Sequence, residues 1–253
     1  MPPFFVAVLT CVLAAAKRRR VSIRSALRAV MLAAPLWSLA SPAMAQQQDE
    51  QLWSQINVNV PVGDGVKLTL EQIARFSDRQ DGLYQTEFGG LLSVRVAPHV
   101  ELGGGYRWVG AHNGNTNANE NRARQQIVAS VGPITTRFRV DERFNPRGNE
   151  VGFRIRPLIR YNYQLNSKGW ALFASHESFL IPNSTAWGQR RGYERMRNIL
   201  GVTLPMGRST AADIGYLNQY RPGRGPARGQ MDHAISMQIT VNLQSILSAI
   251  VPD

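Results

Sequence analysis

The densest grouping of reactive side-chain types in this sequence is Ser175-His176-Glu177-Ser178. A hydroxyl near a base near a carboxylate is the raw material of an activated nucleophile, in which the base takes the hydroxyl proton as the oxygen attacks. Side chains two residues apart on a strand share a face. His176 and Ser178 therefore stand together, and Glu177 points the other way. Small polar residues at a strand rim more often simply meet solvent, and nothing in the sequence supplies an oxyanion hole. The catalytic residues are thus left unassigned. A lipid A or phospholipid hydrolase using His176/Ser178 stands as the rival to a non-enzymatic protein.

The other candidates carry less. His99 falls in a turn, His112 in a loop and His233 at a strand start, and no pair has H-x-x-x-H spacing, so no metal site is expected. Cys11 is the sole cysteine and lies in a segment expected to be removed, which excludes a thiolate nucleophile and a disulfide. No cofactor is expected. More informative is a recurrent polar face rich in arginine: Arg75, Arg95, Arg107, Arg137, Arg139, Arg143, Arg154, Arg156 and Arg160, among Glu71, Glu87, Glu101, Asp141, Glu177 and Asp213. Rings of arginine attract anions and phosphates in a pore. Carboxylates interspersed among them favour a salt-bridged plug instead, because a barrel little wider than eight strands is filled by its own side chains.

The elements that must position these residues alternate with period two. In 233–243, HAISMQITVNL, Ile235, Met237, Ile239, Val241 and Leu243 take one face, and Ala234, Ser236, Gln238, Thr240 and Asn242 the other. The same division recurs in 66–76, 100–109, 134–144 and 151–163. These runs exceed the five or six residues of soluble strands and match the roughly 9–11 tilted residues that cross a bilayer. Short connections (61–65, 97–99, 132–133, 165–169, 205–208) alternate with longer ones (77–82, 112–121, 145–149, 182–192, 221–230), the pattern of periplasmic turns and outer loops. Trp53, Tyr106, Trp108, Tyr161, Tyr163, Trp170 and Tyr220 suit interfacial girdles. The predicted fold is all-β, an up-and-down antiparallel transmembrane β-barrel of ten to twelve strands over 46–253. Eleven segments are visible where an even number is expected, which leaves 51–60 in question as a wall strand and 244–250 as a possible addition. A soluble periplasmic β-protein is the third alternative.

Residues 1–45 read as a secretory segment. Basic residues from Lys17 to Arg28 precede the apolar run 29–45, which ends Ala43-Met44-Ala45, with cleavage after Ala45. The second apolar stretch, 3–16, is short for a spanning helix, and the preferred reading places the true translation start near Val21; a retained anchor is the alternative. The formal charge of +12 falls to about +6 once the six basic residues of 1–45 are removed. That balance, spread over many short segments, excludes a nucleic-acid-binding face. The expected location is the bacterial outer membrane. The expected partners are outer-membrane lipid and lipopolysaccharide, with the barrel assembly machinery during biogenesis. Arg221, Arg224 and Arg228 in the 221–230 loop could meet lipopolysaccharide phosphates.

Gln51-Leu52-Trp53, VKLTLEQIARF, ELGGGYRW and GYLNQY at 215–220, followed by Asp232-His233, occur in this order. Together they resemble a bacterial family of unknown function, number 2490, of predicted outer-membrane proteins, over nearly all of 50–243. The resemblance implies export and a barrel, with no established activity. The chain departs from many barrels by ending QSILSAIVPD after Leu243 rather than on an aromatic.

Overall fold

The computed structural model describes residues 47–115, 118–225 and 227–243. The secretory segment, its cleavage point after Ala45 and the 244–250 segment lie outside the described residues. Eleven strands follow one another: β1 (Gln47–Gly63), β2 (Val66–Ser77), β3 (Gly82–Ala97), β4 (Val100–Ala111), β5 (Glu120–Val131), β6 (Ile134–Phe144), β7 (Val151–Gln164), β8 (Ala171–Ile181), β9 (Gly192–Pro205), β10 (Thr210–Arg221) and β11 (Gln230–Asn242). Each bonds to its neighbour in sequence, and β1 closes on β11 to complete a barrel.

An odd count forces the closing pair to run the same way. β1 and β11 pair in parallel from Gln47↔Gln230 to Asn59↔Asn242, while every other pair is antiparallel. The barrel is the expected up-and-down one with eleven strands, antiparallel at every pair except this seam. The pairing also settles 51–60, which is the centre of a wall strand. β1 begins at the end that carries the longer connections 78–81, 112–119, 145–150, 182–191 and 222–229, and β11 finishes at the end with 64–65, 98–99, 132–133, 165–170 and 206–209.

Local chemistry sets the tight ends. The two-residue connection Asp64-Gly65 needs a positive φ that glycine takes at no steric cost, and Gly65 has φ +69°. At the opposite end, a 3-10 turn over Asp78–Gln80 is capped by the Ser77 hydroxyl, which accepts from the Gln80 amide at 3.2 Å. The shortest strands have 11 residues; at a tilt of about 40° such a strand rises about 28 Å along the barrel axis.

Burial is inverted relative to a water-soluble domain. Leu200 is 65% exposed, Ile235 58% and Phe88 51%, whereas Glu87, Asp141 and Asp232 are at most 2% exposed. Apolar side chains inside are few, with Trp53, Leu217 and Ala234 forming a small cluster flanked by Ile199. Trp53 was expected in an aromatic girdle. It is buried instead, with the guanidiniums of Arg75 and Arg197 lying 4.1 and 4.6 Å from its ring centroid. Its odd position in β1, in phase with Asp49 and Gln51, turns it inward. Tyr106, Tyr161, Tyr163 and Trp170 do face outward, exposed.

Candidate functional site

Three features of the barrel bear on function: an ion-paired middle, a vestibule at the long-loop end, and a polar island on the outer wall.

The middle is built from alternate residues of facing strands. Glu71 of β2 accepts from Arg107 of β4 at 2.7 Å and from Arg124 of β5. Glu87 of β3 pairs with Arg75 and Arg107 at 2.8 and 2.7 Å. Glu177 of β8 gathers Arg137 at 2.5 Å, Arg156 at 2.9 Å and Arg197 at 3.8 Å from β6, β7 and β9. Arg156 also reaches Asp141 at 3.1 Å, and Arg160 crosses from β7 to Asp213 of β10 at 2.6 Å. Several of these pairs skip one or more strands, so they are chords across the interior rather than ladders along the wall. The Phe179 ring lies under Arg156 and Arg197, each 4.6 Å from its centroid. Charged groups so deeply buried hold only when paired and hydrogen-bonded, and these ion pairs supply that pairing.

Of the arginines read from the sequence, Arg95 lies apart, exposed near the short-turn end beside a cavity of about 360 Å³. Lys67 pairs with Glu101 there at 3.2 Å. Sequence reasoning missed Arg122 and Arg124, although ENRAR carries Glu120, Arg122 and Arg124 at period two. It also missed Glu194 and Arg195, for a different reason. Leu180 pairs with Tyr193 and Phe179 with Arg195, leaving Glu194 as an extra residue in β9. That bulge turns two consecutive residues to interior partners: Glu194 pairs with Arg154 at 2.9 Å and with Arg195 at 2.8 Å.

At the long-loop end the interior opens into a vestibule of about 970 Å³. It shares no lining residue with the cavity at the other end, and Glu71, Arg124, Arg139, Asp141 and Glu177 line neither. Thirteen arginines face four carboxylates among the described residues of its wall, so it is strongly cationic. The 182–191 loop folds over the mouth. Trp187 stacks on Arg143 at 4.8 Å, and buried Gln189 accepts from Arg143 at 3.1 Å and donates to the Asn183 carbonyl at 3.1 Å. Arg224 ties the 222–229 loop to this one through the Arg190 carbonyl at 3.0 Å. The buried Nε groups of Arg75, Arg195 and Arg221 and the Trp187 indole N–H, all on lining residues, lack a hydrogen-bond partner among the described residues.

His176 and Ser178 are not at a rim, as the sequence led one to expect. They sit in the body of β8 on its outward face, with Glu177 inside. His176 Nε2 lies 2.9 Å from Ser178 Oγ, and His176 Nδ1 lies 2.7 Å from Asn198 Oδ1 on β9. An amide oxygen only accepts, so Nδ1 donates to it and Nε2 accepts the Ser178 hydroxyl proton. The Tyr193 hydroxyl is 3.4 Å from Ser178 Oγ. The register partners around this island are apolar: Ile159 opposite His176, Met196 opposite Ser178, and Leu200 opposite Ala174. From His176 a rung of register partners continues through Asn198, Asn218 and His233 to Glu50 on five adjacent strands. His99 and His112 stay in connections, His112 within 2.7 Å of the Thr86 hydroxyl, and His233 meets the Tyr216 hydroxyl at 2.5 Å.

These features define a class: a closed β-barrel with a charged interior and an apolar exterior. The chain belongs to the family described as proteins of unknown function, DUF2490, whose model matches residues 50–230. It is similar to an uncharacterised protein of Methylorubrum extorquens, 31% identical over 228 residues that span 83% of this chain and 96% of that relative. No solved structure matches the chain.

Proposed function

We propose that the mature protein is an outer-membrane barrel closed at mid-height, with a cationic receptacle for anionic groups at its long-loop end and no transport path through it. The observation that carries this is the inversion of burial, with Leu200 and Ile235 in the open and Glu87 and Asp232 sealed within. A soluble protein rarely exposes apolar patches beyond a few hundred Å². Lipid makes the same surface favourable, and a closed barrel leaves no unpaired sheet edge in it. The two cavities share no lining residue and Glu71, Arg124, Asp141 and Glu177 line neither, which favours a closed barrel over a narrow anion pore. Lipopolysaccharide phosphates are the fitting partners for the vestibule, since arginine binds phosphate in bidentate fashion.

The full chain, expressed in a Gram-negative host, is expected in the outer-membrane fraction with faster gel mobility unboiled than boiled. In planar bilayers the purified barrel is expected to give no steady single-channel current. Recovery in the soluble periplasm without a mobility shift overturns the membrane reading, and stable current steps overturn the closed interior.

The vestibule makes a separate prediction. Inorganic pyrophosphate titrated calorimetrically into the detergent-folded barrel should bind, and more weakly as salt rises. Arg195→Ala should weaken it about tenfold, the loss of one charge-assisted hydrogen bond. Affinity unchanged by both salt and this substitution removes the receptacle.

A further inference from the structure

We propose that Ser178, His176 and Asn198 form a hydrolytic site on the outer wall of the barrel that cleaves the long-chain acyl ester of an envelope lipid. This rests on the membrane placement proposed above and goes beyond it, because the interior takes no part.

Geometry carries the inference. The hydrogen-bond chain from Ser178 Oγ to His176 Nε2 and from His176 Nδ1 to Asn198 Oδ1 is the order of nucleophile, base and orienting group, at 2.9 and 2.7 Å. The tautomer that Asn198 fixes is the one a general base requires, since Nε2 is left free to accept the serine proton. The local cost of the arrangement points the same way. Four polar side chains, Tyr193 included, stand on the outward face with exposed Leu180 and Leu200, where polar groups facing lipid are unfavourable and are kept for function. They satisfy one another by hydrogen bonds, and His176 is exposed.

Ser178 stands on the long-loop half of the wall. Ser178 lies three residues below Ile181, the last residue of β8, which places it about 8 Å beneath the long-loop rim. The rung from Asn198 to His233 and Glu50 continues the polar level around the wall beside the site.

In the reaction, Ser178 Oγ bonds to the ester carbonyl carbon as its proton passes to His176 Nε2. The Tyr193 hydroxyl, 3.4 Å from Ser178 Oγ, is the group that would donate to the developing oxyanion. Collapse breaks the carbon–oxygen bond to the lipid alcohol, which takes the proton from His176. Water from the headgroup layer then attacks the acyl-serine and gives a proton to His176, which passes it to Ser178 Oγ as the carbon–oxygen bond breaks and the fatty acid leaves. Atoms balance as one ester plus one water giving one acid and one alcohol.

The test uses outer membranes carrying the full chain and a fluorophosphonate probe, which reacts only with an activated serine. Labelling at Ser178 is expected. It should vanish in Ser178→Ala and fall at least about 100-fold in His176→Gln, the usual worth of a general base. Asn198→Ala should lower it, and Asn198→Asp should restore it. Fatty-acid release is then read from phospholipid vesicles and from lipopolysaccharide, which tells the two ester sources apart, with ether-linked lipid as the blank. Each variant is first checked for heat-shifted mobility, so a lost barrel is distinguished from a lost site. A correctly folded wild-type barrel that takes no label, or label that survives in Ser178→Ala, overturns the proposal.

Discussion

Glu177→Ala is expected to be among the most damaging single substitutions in the barrel. The carboxylate holds Arg137, Arg156 and Arg197 at 2.5, 2.9 and 3.8 Å, and among the described residues only Arg156 pairs with a second carboxylate, Asp141 at 3.1 Å. Removing it leaves guanidiniums buried with their charge uncompensated, a change that typically costs about 3–5 kcal/mol. The measurement is urea titration of the folded, heat-shifted band in detergent, where the midpoint should fall sharply. Pairing Glu177→Leu with Arg137→Leu should recover part of the loss, because replacing both partners of a buried pair by apolar groups is often close to neutral. If Glu177→Ala leaves the midpoint unmoved, the chords across the middle contribute nothing to stability, and the closed interior loses its physical basis.

Leu200→Arg should act as strongly for the opposite reason. Leu200 lies well inside β9, 65% exposed, with Ala174 and Tyr216 beside it in register. On a face that meets hydrocarbon, arginine near the bilayer midplane costs about 2–4 kcal/mol. The folded form recovered from outer membranes should drop several-fold or more, with unassembled chain degraded or held in the periplasm. On a face that meets water the same change is nearly silent, since exposed substitutions away from special features stay within about 0.5 kcal/mol. One substitution thus separates the lipid-facing wall from a soluble barrel. Glu177 reports on the interior in either case, so the two experiments fail independently.

The outer-wall site and the vestibule face the same end of the barrel but share no residue. A barrel that binds pyrophosphate without labelling at Ser178 is a receptacle alone, whereas label without pyrophosphate binding leaves the wall chemistry standing. The 182–191 loop joins the two strands that bear Ser178 and Asn198, and it also carries Trp187 and Gln189 over the mouth.

Much of this was legible in the sequence because alternation is local. HAISMQITVNL sends Ile235 and Met237 outward by period two alone. The same rule sends Arg137, Arg139 and Asp141 inward with no knowledge of any partner. Loop lengths gave the two ends, and strand length indicated a barrel whose strands can cross a bilayer. What the sequence could not decide is what depends on meeting across the sheet or across the interior. The parallel seam between β1 and β11 joins segments at opposite ends of the chain, and no local pattern marks it. Asn198 enters the Ser178–His176 chain only through the β8–β9 register. The bulge at Glu194 breaks the alternation that would otherwise have sent Glu194 and Arg195 to opposite faces. Trp53 looked like a girdle aromatic by type; its phase in β1 turns it inward, and the tertiary structure supplies Arg75 and Arg197 over its ring. Side-chain facing follows from one strand's own pleat, whereas pairing, closure and the sites they assemble follow from which strands the barrel brings together.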